Sequence, residues 1–317
     1  HIEFDDINHS NDIDLLATPS SYQFRAFDQT GGYMLLADTL ELNNKACFVS
    51  FDHTTFLVPN LPNNKERLCE DPETEVALSL LAEMRRANKK DLLQTREQTI
   101  QAMRREFMQR IYKRFGYWWF DMLEGWFYDD GLMNEIKHEV EISKRIMNID
   151  KKSNSEVAVF FSGQSLYYMN KMSEINTETI CTQRDGLGRM GAPYDSFSLG
   201  DINKVNFNQY KLFIFVESLL LSDEQREIIN KLKASGKTIL FIGPVDYAKD
   251  GIKSVEEMVN MKLGIQDELE NTVVCENTKY GYYNLKKDNF YVDDDSIVLG
   301  RYESSNKPAL CRKNNIF

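Results

Sequence analysis

Residues 211–244 read KLFIFVESLLLSDEQREIINKLKASGKTILFIGP, and this stretch decides the fold class. An apolar strand, KLFIFVE (211–217), is followed by a helix that begins after Ser222 and by a second apolar strand, TILFIGP (238–244). Ser222 is a preferred N-cap residue and is followed by acidic residues in the first turn, and Gly236 is typical of the end of a helix. Strands that are apolar throughout and are joined by a helix indicate a parallel sheet covered on both faces.

The same alternation extends to both sides of this stretch. VAVFFS (157–162) predicts a strand and SLYYMNKM (165–172) a helix before it, and VEEMVNMKLG (255–264) predicts a helix after it. Repeated strand–helix units with apolar strands are typical of a doubly wound, flavodoxin-like sheet. We therefore expect a domain over residues 151–317, with KKSNSE (151–156) as the linker that precedes it.

Residues 1–150 also alternate between strands and helices, and their strand ends are rich in aromatic residues. Predicted strands lie at 13–22, 45–51 and 117–122. A proline-rich loop is predicted at 59–73, and amphipathic helices at 74–114 and 133–148. GYMLLADTL (32–40) fits either a strand or the first turn of a helix. We assign no chemistry to the apolar stripe of the first long helix, which core packing explains: Met103, Phe107, Ile111 and Phe115.

The charge balance disfavours two classes of partner. The chain has 317 residues, with 38 Lys and Arg against 49 Asp and Glu, which gives a net charge of −11. Nucleic-acid binders usually carry a basic surface, and no stripe of Lys and Arg interleaved with aromatic residues is present. We therefore expect neither a nucleic-acid partner nor binding to an anionic membrane. No apolar run approaches the roughly 18 residues that span a bilayer.

The cysteines bear on the compartment. They are odd in number, widely spaced and never arranged as CxxC: Cys47, Cys69, Cys181, Cys275 and Cys311. This pattern disfavours a disulfide scaffold or a zinc knuckle and favours a reducing, cytoplasmic compartment, although a large exported enzyme can also carry free thiols. The chain opens on HIEFDD without an initiating Met, so we expect it to be part of a longer protein whose export status is open.

Two motifs that suggest ligands lack the surroundings that their chemistry needs. GLGRMG (186–191) matches GxGxxG, but the Ala-Pro-Tyr-Asp that follows does not open a helix, so we expect a loop and no bound nucleotide. VDDDS (292–296) lacks the Gly and the distal Glu of a calcium loop. None of the histidines has metal-ligand spacing: His1, His9, His53 and His138. We therefore predict no metal and no cofactor.

Several longer strings resemble the β-galactosidases of glycoside hydrolase family 42. DIDLLATPSSYQFRAFDQTGGYMLLADTLELNNKACF (12–48) resembles the sixth and seventh strands of that family's barrel, and GYWWFDMLEGWFYDDG (116–131) resembles the eighth strand and its loop. GAPYDSFSLGDI (191–202) and the stretch at 210–244 resemble the adjoining trimerisation domain. NFYVDDDSIVLGRYESSNKPAL (289–310) resembles its closing strands.

The resemblance covers nearly the whole chain and implies an α/β architecture in two parts. Residues 1–150 would be the C-terminal part of a (β/α)8 TIM barrel, because a complete barrel takes about 250 residues and 150 cannot close one. Residues 151–317 would be a flavodoxin-like, glutamine-amidotransferase-like trimerisation domain. The resemblance further implies a carbohydrate ligand and a homo-oligomer, a trimer in the family.

The resemblance places the end of a catalytic strand within KACFVSFDHTT (45–55). Retaining glycosidases use two carboxylates about 5 Å apart, and the family carries the nucleophilic Glu at the end of the seventh strand, two residues before an Asp. Aligned on Asp52, the place of that Glu is taken by Ser50, whose hydroxyl has no neighbouring base. Three explanations stay open: the nucleophile is lost, Asp52 has taken its role because it faces the same side, or the alignment slips by a residue or two.

Other residues near predicted strand ends fit a sugar site. Tyr22 and Arg25 follow a strand in PSSYQFR, while Trp118, Trp119 and Asp121 lie together in YWWFDM. Tryptophan faces stack on sugar rings, and a carboxylate accepts sugar hydroxyls. Neighbouring strand residues point opposite ways, so only one of the two indoles can face the barrel interior. The alternatives are core packing for each indole and a structural salt bridge for the guanidinium.

Two functions follow from these patterns. The first is a glycoside hydrolase of the β-galactosidase type that cleaves a terminal glycosidic bond with retention. The second is a catalytically silent relative, a pseudoenzyme, that binds carbohydrate or serves as an assembly module. Ser50 is the residue that separates the two hypotheses.

Overall fold

The computed structural model describes residues 4–22, 24–57, 93–121, 125–146, 148–149, 152–169, 183–270, 272–281 and 289–317. The chain divides into two compact units. Unit A comprises Asp12–Leu40 and Asn44–Lys152, and unit B comprises His1–Asn11, Glu41–Asn43 and Ser153–Phe317. The predicted loop at 59–73 and the segment 74–92 of the first long helix lie outside the described residues.

Unit A is built on three parallel strands in the order β1-β2-β3. They are β1 (Leu15–Pro19), β2 (Ala46–Phe51) and β3 (Gly116–Trp119). Helix α1 (Phe4–His9) precedes β1 in the chain and belongs to unit B. Helix α2 (Ala37–Leu42) lies between β1 and β2 in the chain. Helix α3 (Arg96–Lys113) lies between β2 and β3 in the chain, and helix α4 (Asp130–Ile146) follows β3. The strands predicted at 13–22, 45–51 and 117–122 are confirmed, and the ambiguous segment at 32–40 runs into a helix.

Helix α3 has caps at both ends and an apolar face on the sheet. The Thr95 side chain accepts a hydrogen bond from the backbone N–H of Gln98, and Arg114 ends the helix in the left-handed region at φ 58°. Met103 and Phe107 are buried, which confirms that this stripe is core packing. The central cluster of this side of the sheet is Phe51, Met103, Trp126, Phe127 and Leu132.

The other face of the same sheet is exposed in unit A. The register pairs Phe48 with Gly116 and Ser50 with Trp118, so these side chains share one face, and Leu15 lies beside Ala46 on it. Leu15, Phe48 and Trp118 are 48%, 42% and 37% exposed. Parallel sheets in proteins are normally covered on both faces, so this face has the character of an interior surface.

Unit B contains a four-stranded parallel sheet in the order β5-β4-β6-β7. Its strands are β4 (Val157–Phe161), β5 (Tyr194–Ser198), β6 (Leu212–Val216) and β7 (Thr238–Ile242). Its helices are α5 (Gln183–Arg189), α6 (Asp223–Ala234), α7 (Tyr247–Asp250) and α8 (Ile252–Val259). If these four strands are numbered 1 to 4 along the chain, their order across the sheet is 2-1-3-4. The strand, helix and strand predicted over residues 211–244 are confirmed.

Helix α6 begins with the cap that the sequence predicts. The Ser222 side chain accepts from the backbone N–H of Gln225, and the Gln225 side chain accepts in turn from the backbone N–H of Ser222, a complete capping box. Ile229 and Leu232 on its inner face are buried in the main core of unit B. Gly236 follows the helix at φ 76°, a conformation that suits glycine.

The remaining strands of unit B form two antiparallel sheets. One has the order β10-β9-β12-β13 and the other pairs β11 with β8. These strands are β8 (Leu263–Gln266), β9 (Thr272–Cys275), β10 (Thr278–Gly281), β11 (Asn289–Val292), β12 (Ile297–Tyr302) and β13 (Pro308–Arg312). The acidic run at 292–296 begins at the last residue of β11 and continues through the connection between β11 and β12.

One local prediction for unit B was wrong. GLGRMG (186–191) was expected to be a loop, but its first four residues belong to α5, because a short helix tolerates glycine at a modest cost. The helix predicted at 165–172 is present as a short 3₁₀ helix over Gln164–Tyr168, and 170–172 lie outside the described residues.

Within the described residues, Cys47, Cys275 and Cys311 are free thiols. No helix in that part of the chain is long and apolar enough to cross a membrane. The same residues contain no group of three or more His, Cys, Asp or Glu side chains that could hold a metal ion.

A buried carboxyl group in α4 makes the stability of unit A depend on pH. Glu139 is 1% exposed, and neither of its carboxyl oxygens has a hydrogen-bond partner among the described residues. Burial, reinforced by the nearby Glu135, raises the pKa of Glu139 to about 9. The folded chain therefore keeps a proton that the unfolded chain releases near pH 4, so this group lowers stability as the pH rises from about 4.5 to about 9.

We predict that Glu139→Gln removes this pH dependence. The advantage of the variant over the parent should grow between pH 5 and pH 9, with a slope of at most about 1.4 kcal/mol per pH unit. Urea unfolding at several pH values measures it, and Glu141→Gln, at an exposed position of the same helix, is the control. Parallel pH profiles of parent and Glu139→Gln would contradict a protonated Glu139.

Candidate functional site

The parallel register brings the ends of β1, β2 and β3 to one edge of the sheet. Pro19 pairs with Ser50, and Ser50 pairs with Trp118. The residues that follow each strand therefore leave the sheet at the same edge. Two of the predicted site residues, Tyr22 and Arg25, meet Asp52 there.

Asp52 is the centre of this cluster. The Arg25 Nη2 donates to Asp52 Oδ1 at 2.5 Å, and the Tyr22 hydroxyl donates to Asp52 Oδ2 at 3.0 Å. Asp52 is 5% exposed. Both oxygens of the carboxylate that follows β2 thus accept a protein hydrogen bond, and the bond from Arg25 is also an ion pair.

Arg25 also binds backbone carbonyl groups just after β1 and β2. Its guanidinium also donates to the carbonyl oxygens of Ser20 at 2.8 Å, Ser21 at 2.9 Å and Asp52 at 3.2 Å. The group lies over the ring of Tyr22, 4.1 Å from its centroid, a cation–π contact. The structural salt bridge weighed as an alternative for Arg25 is therefore present.

Tyr22 is the exposed member of the cluster. Its side chain is 56% exposed, so the ring presents an aromatic surface to solvent while the hydroxyl reaches Asp52. Partial burial, followed by the charge and the hydrogen bond of Asp52, raises the pKa of Tyr22 above its ordinary value. The hydroxyl is accordingly a hydrogen-bond donor throughout the neutral pH range.

Ser50 lies on the exposed face of the sheet, next to Trp118. It is buried, and its carbonyl oxygen accepts from the backbone N–H of Ser20 at 3.2 Å and from the Ser20 hydroxyl at 3.1 Å. Among the described residues, no base is in contact with its hydroxyl. At this position the chain therefore places a small, neutral polar group.

The two indoles occupy different environments, as the alternation along a strand requires. Trp119 packs into the core, with ring centroids 4.3 Å from Phe51 and 5.6 Å from Phe127. Trp118 lies on the opposite face beside Phe48, at 6.1 Å, and stays partly exposed. Of the two indoles, Trp118 is the one placed to stack on a ligand at this edge.

Asp121 follows β3 and has a local structural contact. Its Oδ2 accepts a hydrogen bond from the backbone N–H of Trp126 at 3.1 Å. This contact joins the residue just after β3 to the described segment that precedes α4. The carboxylate therefore helps to shape the strand end.

A layer of buried polar and charged side chains, formed by His53, Glu106 and Arg110, lies next to the cluster. The sequence patterns did not predict it. Glu106 and Arg110 are fully buried, and the Arg110 Nη2 donates to Glu106 Oε2 at 3.0 Å and to the Ser20 hydroxyl. His53 stacks on Phe51 at 4.3 Å, and its Nε2 lies 3.7 Å from Glu106 Oε1. The signal for this layer was the spacing of Glu106 and Arg110, which are four residues apart on one helix.

Burial sets the charge states of this layer. It lowers the pKa of His53 to about 4, so the imidazole is neutral at pH 7. Burial opposes the charge of Glu106, but the contact with His53 and the guanidinium groups of Arg110 and Arg105 outweigh it and lower its pKa to about 2. The layer thus carries an anion held between two guanidinium groups.

Solved structures that are similar to this chain include glycoside hydrolases. No protein-family model matches the sequence, and none of the curated proteins matches it. The chain is similar to Gan42B, a GH42 β-galactosidase from G. stearothermophilus, with a TM-score of 0.49 and 17% identity over 66% of this chain and 35% of that one. It is also similar to a β-galactosidase from Rahnella sp. R3, with a TM-score of 0.48 and 12% identity over 66% of this chain and 37% of that one.

A third similar structure is Op5Man5, an exo-β-1,4-mannosidase from Opitutaceae bacterium strain TAV5. It has a TM-score of 0.52 and 11% identity over 86% of this chain and 53% of that one. The chain thus spans about a third of the length of the two β-galactosidases and about half of the mannosidase. The likeness to the mannosidase shows a glycosidase-like fold, and GH42 β-galactosidases, which the sequence motifs resemble, are also among the similar solved structures.

We predict that the ion pair of Arg25 and Asp52 contributes more to stability than an exposed pair. Asp52→Asn leaves a mostly buried guanidinium without its counter-charge, and we expect a loss of about 2 kcal/mol in the free energy of unfolding. The control is Asp129→Asn, which breaks the exposed pair with Arg96 and should cost less than about 1 kcal/mol. Urea unfolding measures both, and equal losses would contradict the prediction.

Proposed function

We propose that the strand-end cluster of unit A binds a carbohydrate, and that the chain is a catalytically silent relative of the β-galactosidases that it resembles. The observation that carries this proposal is the hydrogen bonding of both Asp52 oxygens just after β2, where the resemblance puts Ser50 at the position of the nucleophilic Glu. Terminal galactosides and mannosides are the sugars to test first, because the sequence motifs resemble β-galactosidases and the similar Op5Man5 is named as a mannosidase.

The chemistry of the edge suits a sugar. The partly exposed faces of Trp118 and Tyr22 can stack on the apolar side of a pyranose ring. Each oxygen of Asp52 has a second lone pair, and the Tyr22 hydroxyl can also accept. An aromatic surface beside a fixed carboxylate is the combination that recognises a ring with several hydroxyl groups.

Retaining hydrolysis needs more than this edge provides. Two carboxylates must stand about 5 Å apart, one as nucleophile and one as acid and base. Glu106 lies below the cluster, where it is fully buried and paired with Arg105 and Arg110. A carboxylate held in this way supports the fold and is out of reach of a bound sugar.

The alternative is a retaining glycosidase in which Asp52 is the nucleophile. One observation favours it: Asp52 lies at the carboxyl end of the central strand of unit A, two residues beyond Ser50. In this alternative Arg25 and Tyr22 would stabilise the carboxylate as the leaving group of the second step. Both hypotheses share the same ligand, so one pair of measurements separates them.

We predict that the chain binds galactose or mannose without hydrolysing the corresponding nitrophenyl glycosides. Isothermal titration calorimetry measures binding, and Trp118→Ala should weaken it at least tenfold because the stacking surface is lost, whereas Trp119→Phe keeps the exposed face intact. Release of nitrophenol measures hydrolysis. Turnover that Asp52→Ala abolishes would favour the glycosidase alternative, and an absence of sugar binding would contradict both.

We further propose that unit A is the last part of a (β/α)8 barrel and that residues 1–150 are its approximate extent. Three parallel strands with helices packed on one face, and an exposed apolar opposite face, support this. In a closed barrel that face would line the interior, where branched and aromatic side chains fill the centre.

Unit B is proposed to be a flavodoxin-like trimerisation domain. The strand order 2-1-3-4 agrees with the first four strands of a flavodoxin-like sheet, which supports the proposal. We expect a homotrimer by analytical ultracentrifugation of the chain. A monomer over the micromolar range would contradict the assembly role for this chain.

A further inference from the structure

We propose that Arg105 on α3 is a positioning residue that holds the loop carrying Tyr22 and Arg25 in the geometry that the sugar site needs. This inference rests on the proposed carbohydrate site, and it concerns a residue outside that site. Arg105 lies on the helix and acts through the backbone of the loop between β1 and α2.

Arg105 binds three carbonyl oxygens of this loop. Its Nη1 donates to the carbonyl of Ala26 at 2.8 Å and to that of Gln29 at 2.9 Å, and its Nη2 donates to that of Arg25 at 3.3 Å. The planar guanidinium offers these donors in a fixed fork, which a lysine cannot reproduce. One side chain thus fixes the loop immediately after the residue that clamps Asp52.

The guanidinium of Arg105 is itself held in place. Glu106 Oε1 accepts from Arg105 Nη2 at 3.1 Å and from Arg105 Nε at 3.3 Å. Glu106 is fully buried and also paired with Arg110, so its carboxylate cannot move freely. Glu106 therefore orients the Arg105 guanidinium, and Arg105 in turn holds the loop between β1 and α2.

Two neighbouring contacts show that the loop is docked on this face of α3. The Gln109 side chain donates to the carbonyl of Thr30 at 2.8 Å. Gly31 adopts φ +69°, and a Cβ added there would meet Glu106 Oε1 and lie 2.8 Å from Arg105 Nε. The left-handed backbone favours glycine, and a larger residue would require these two side chains to shift.

Arg25 connects Arg105 directly to the residues of the proposed site. Arg25 has its carbonyl bound by Arg105, while its side chain binds Asp52 and supports the ring of Tyr22. Hydrogen bonds of 2.5 to 3.0 Å are lost when the partners move apart by about 1 Å. Releasing the loop from α3 therefore separates Tyr22 and Arg25 from Asp52 without altering either residue.

The test uses Arg105→Ala with Arg104→Ala as its matched control. Arg104 is the adjacent residue on α3, is more exposed, and makes a bidentate pair with Glu135 on α4 at 2.7 Å. Tyrosine labelled with ¹³C at Cζ gives the ionisation of Tyr22 by NMR, and Tyr22→Phe identifies its signal. Calorimetry with the sugar that binds the parent gives affinity.

We expect Arg105→Ala to lower the pKa of Tyr22 toward its ordinary value, because burial decreases and Asp52 moves away, and to reduce sugar affinity at least tenfold. Arg104→Ala should change neither, and Arg105→Lys should give intermediate values. If Arg105→Ala does not fold, Gln109→Ala, which removes one carbonyl contact of the same loop, takes its place with smaller effects of the same sign.

The inference is overturned if the Tyr22 titration curve of Arg105→Ala, or of its replacement, coincides with that of the parent and of Arg104→Ala. This readout needs no sugar. A parent chain that binds no sugar while Arg105→Ala still shifts the Tyr22 titration would contradict the proposed function and leave the positioning role in place.

Discussion

Parallel pairing of β2 with both β1 and β3 is the constraint on which the candidate site depends. Parallel strands end at the same edge, so the segments that follow them are brought together although they come from distant parts of the chain. Tyr22 and Arg25 follow β1, Asp52 follows β2, and Trp118 lies near the end of β3. A shift of one residue in the register would turn Ser50 and Trp118 into the core and Trp119 out of it.

A second constraint is the buried carboxylate of Glu106 near the ends of the strands, which needs charged partners. A buried carboxylate is tolerated when guanidinium groups and hydrogen bonds replace its water, and Glu106 meets that condition through Arg105 and Arg110. These arginines in turn bind Ser20 and the loop after β1. Helix α3 therefore does more than cover the sheet, since its polar residues also organise the site edge.

Fold and chemistry are separable in this chain. A glycosidase-like fold is present, and it is maintained by apolar packing such as that of Phe51, Trp119 and Phe127. The Ser50 side chain lies on the other face of the sheet from these contacts. The packing that maintains the fold therefore does not determine the chemistry at the strand ends.

Local signals in the amino-acid sequence were strong enough to predict most of the described strands and helices. The apolar strands and the capped helix of residues 211–244, and the alternation around 45–51, depend on side-chain periodicity and caps, which are properties of neighbouring residues. The resemblance to the β-galactosidase family singled out Asp52, Tyr22 and Arg25, which follow predicted strands. Local signals failed for GLGRMG, where a pattern of glycines is compatible with a short helix as well as with a loop.

The contacts that these residues make depend on how distant segments of the chain pack together, which no local signal predicts. The choice between Trp118 and Trp119 required the face of the sheet that the helices cover, and the engagement of both Asp52 oxygens required the loop after β1 to fold back on β2. The roles of Arg105, Glu106 and His53 depend on contacts between residues far apart in the chain, and such contacts leave no periodic signal. Periodicity reports which side of an element is buried, whereas a site is made where different elements meet.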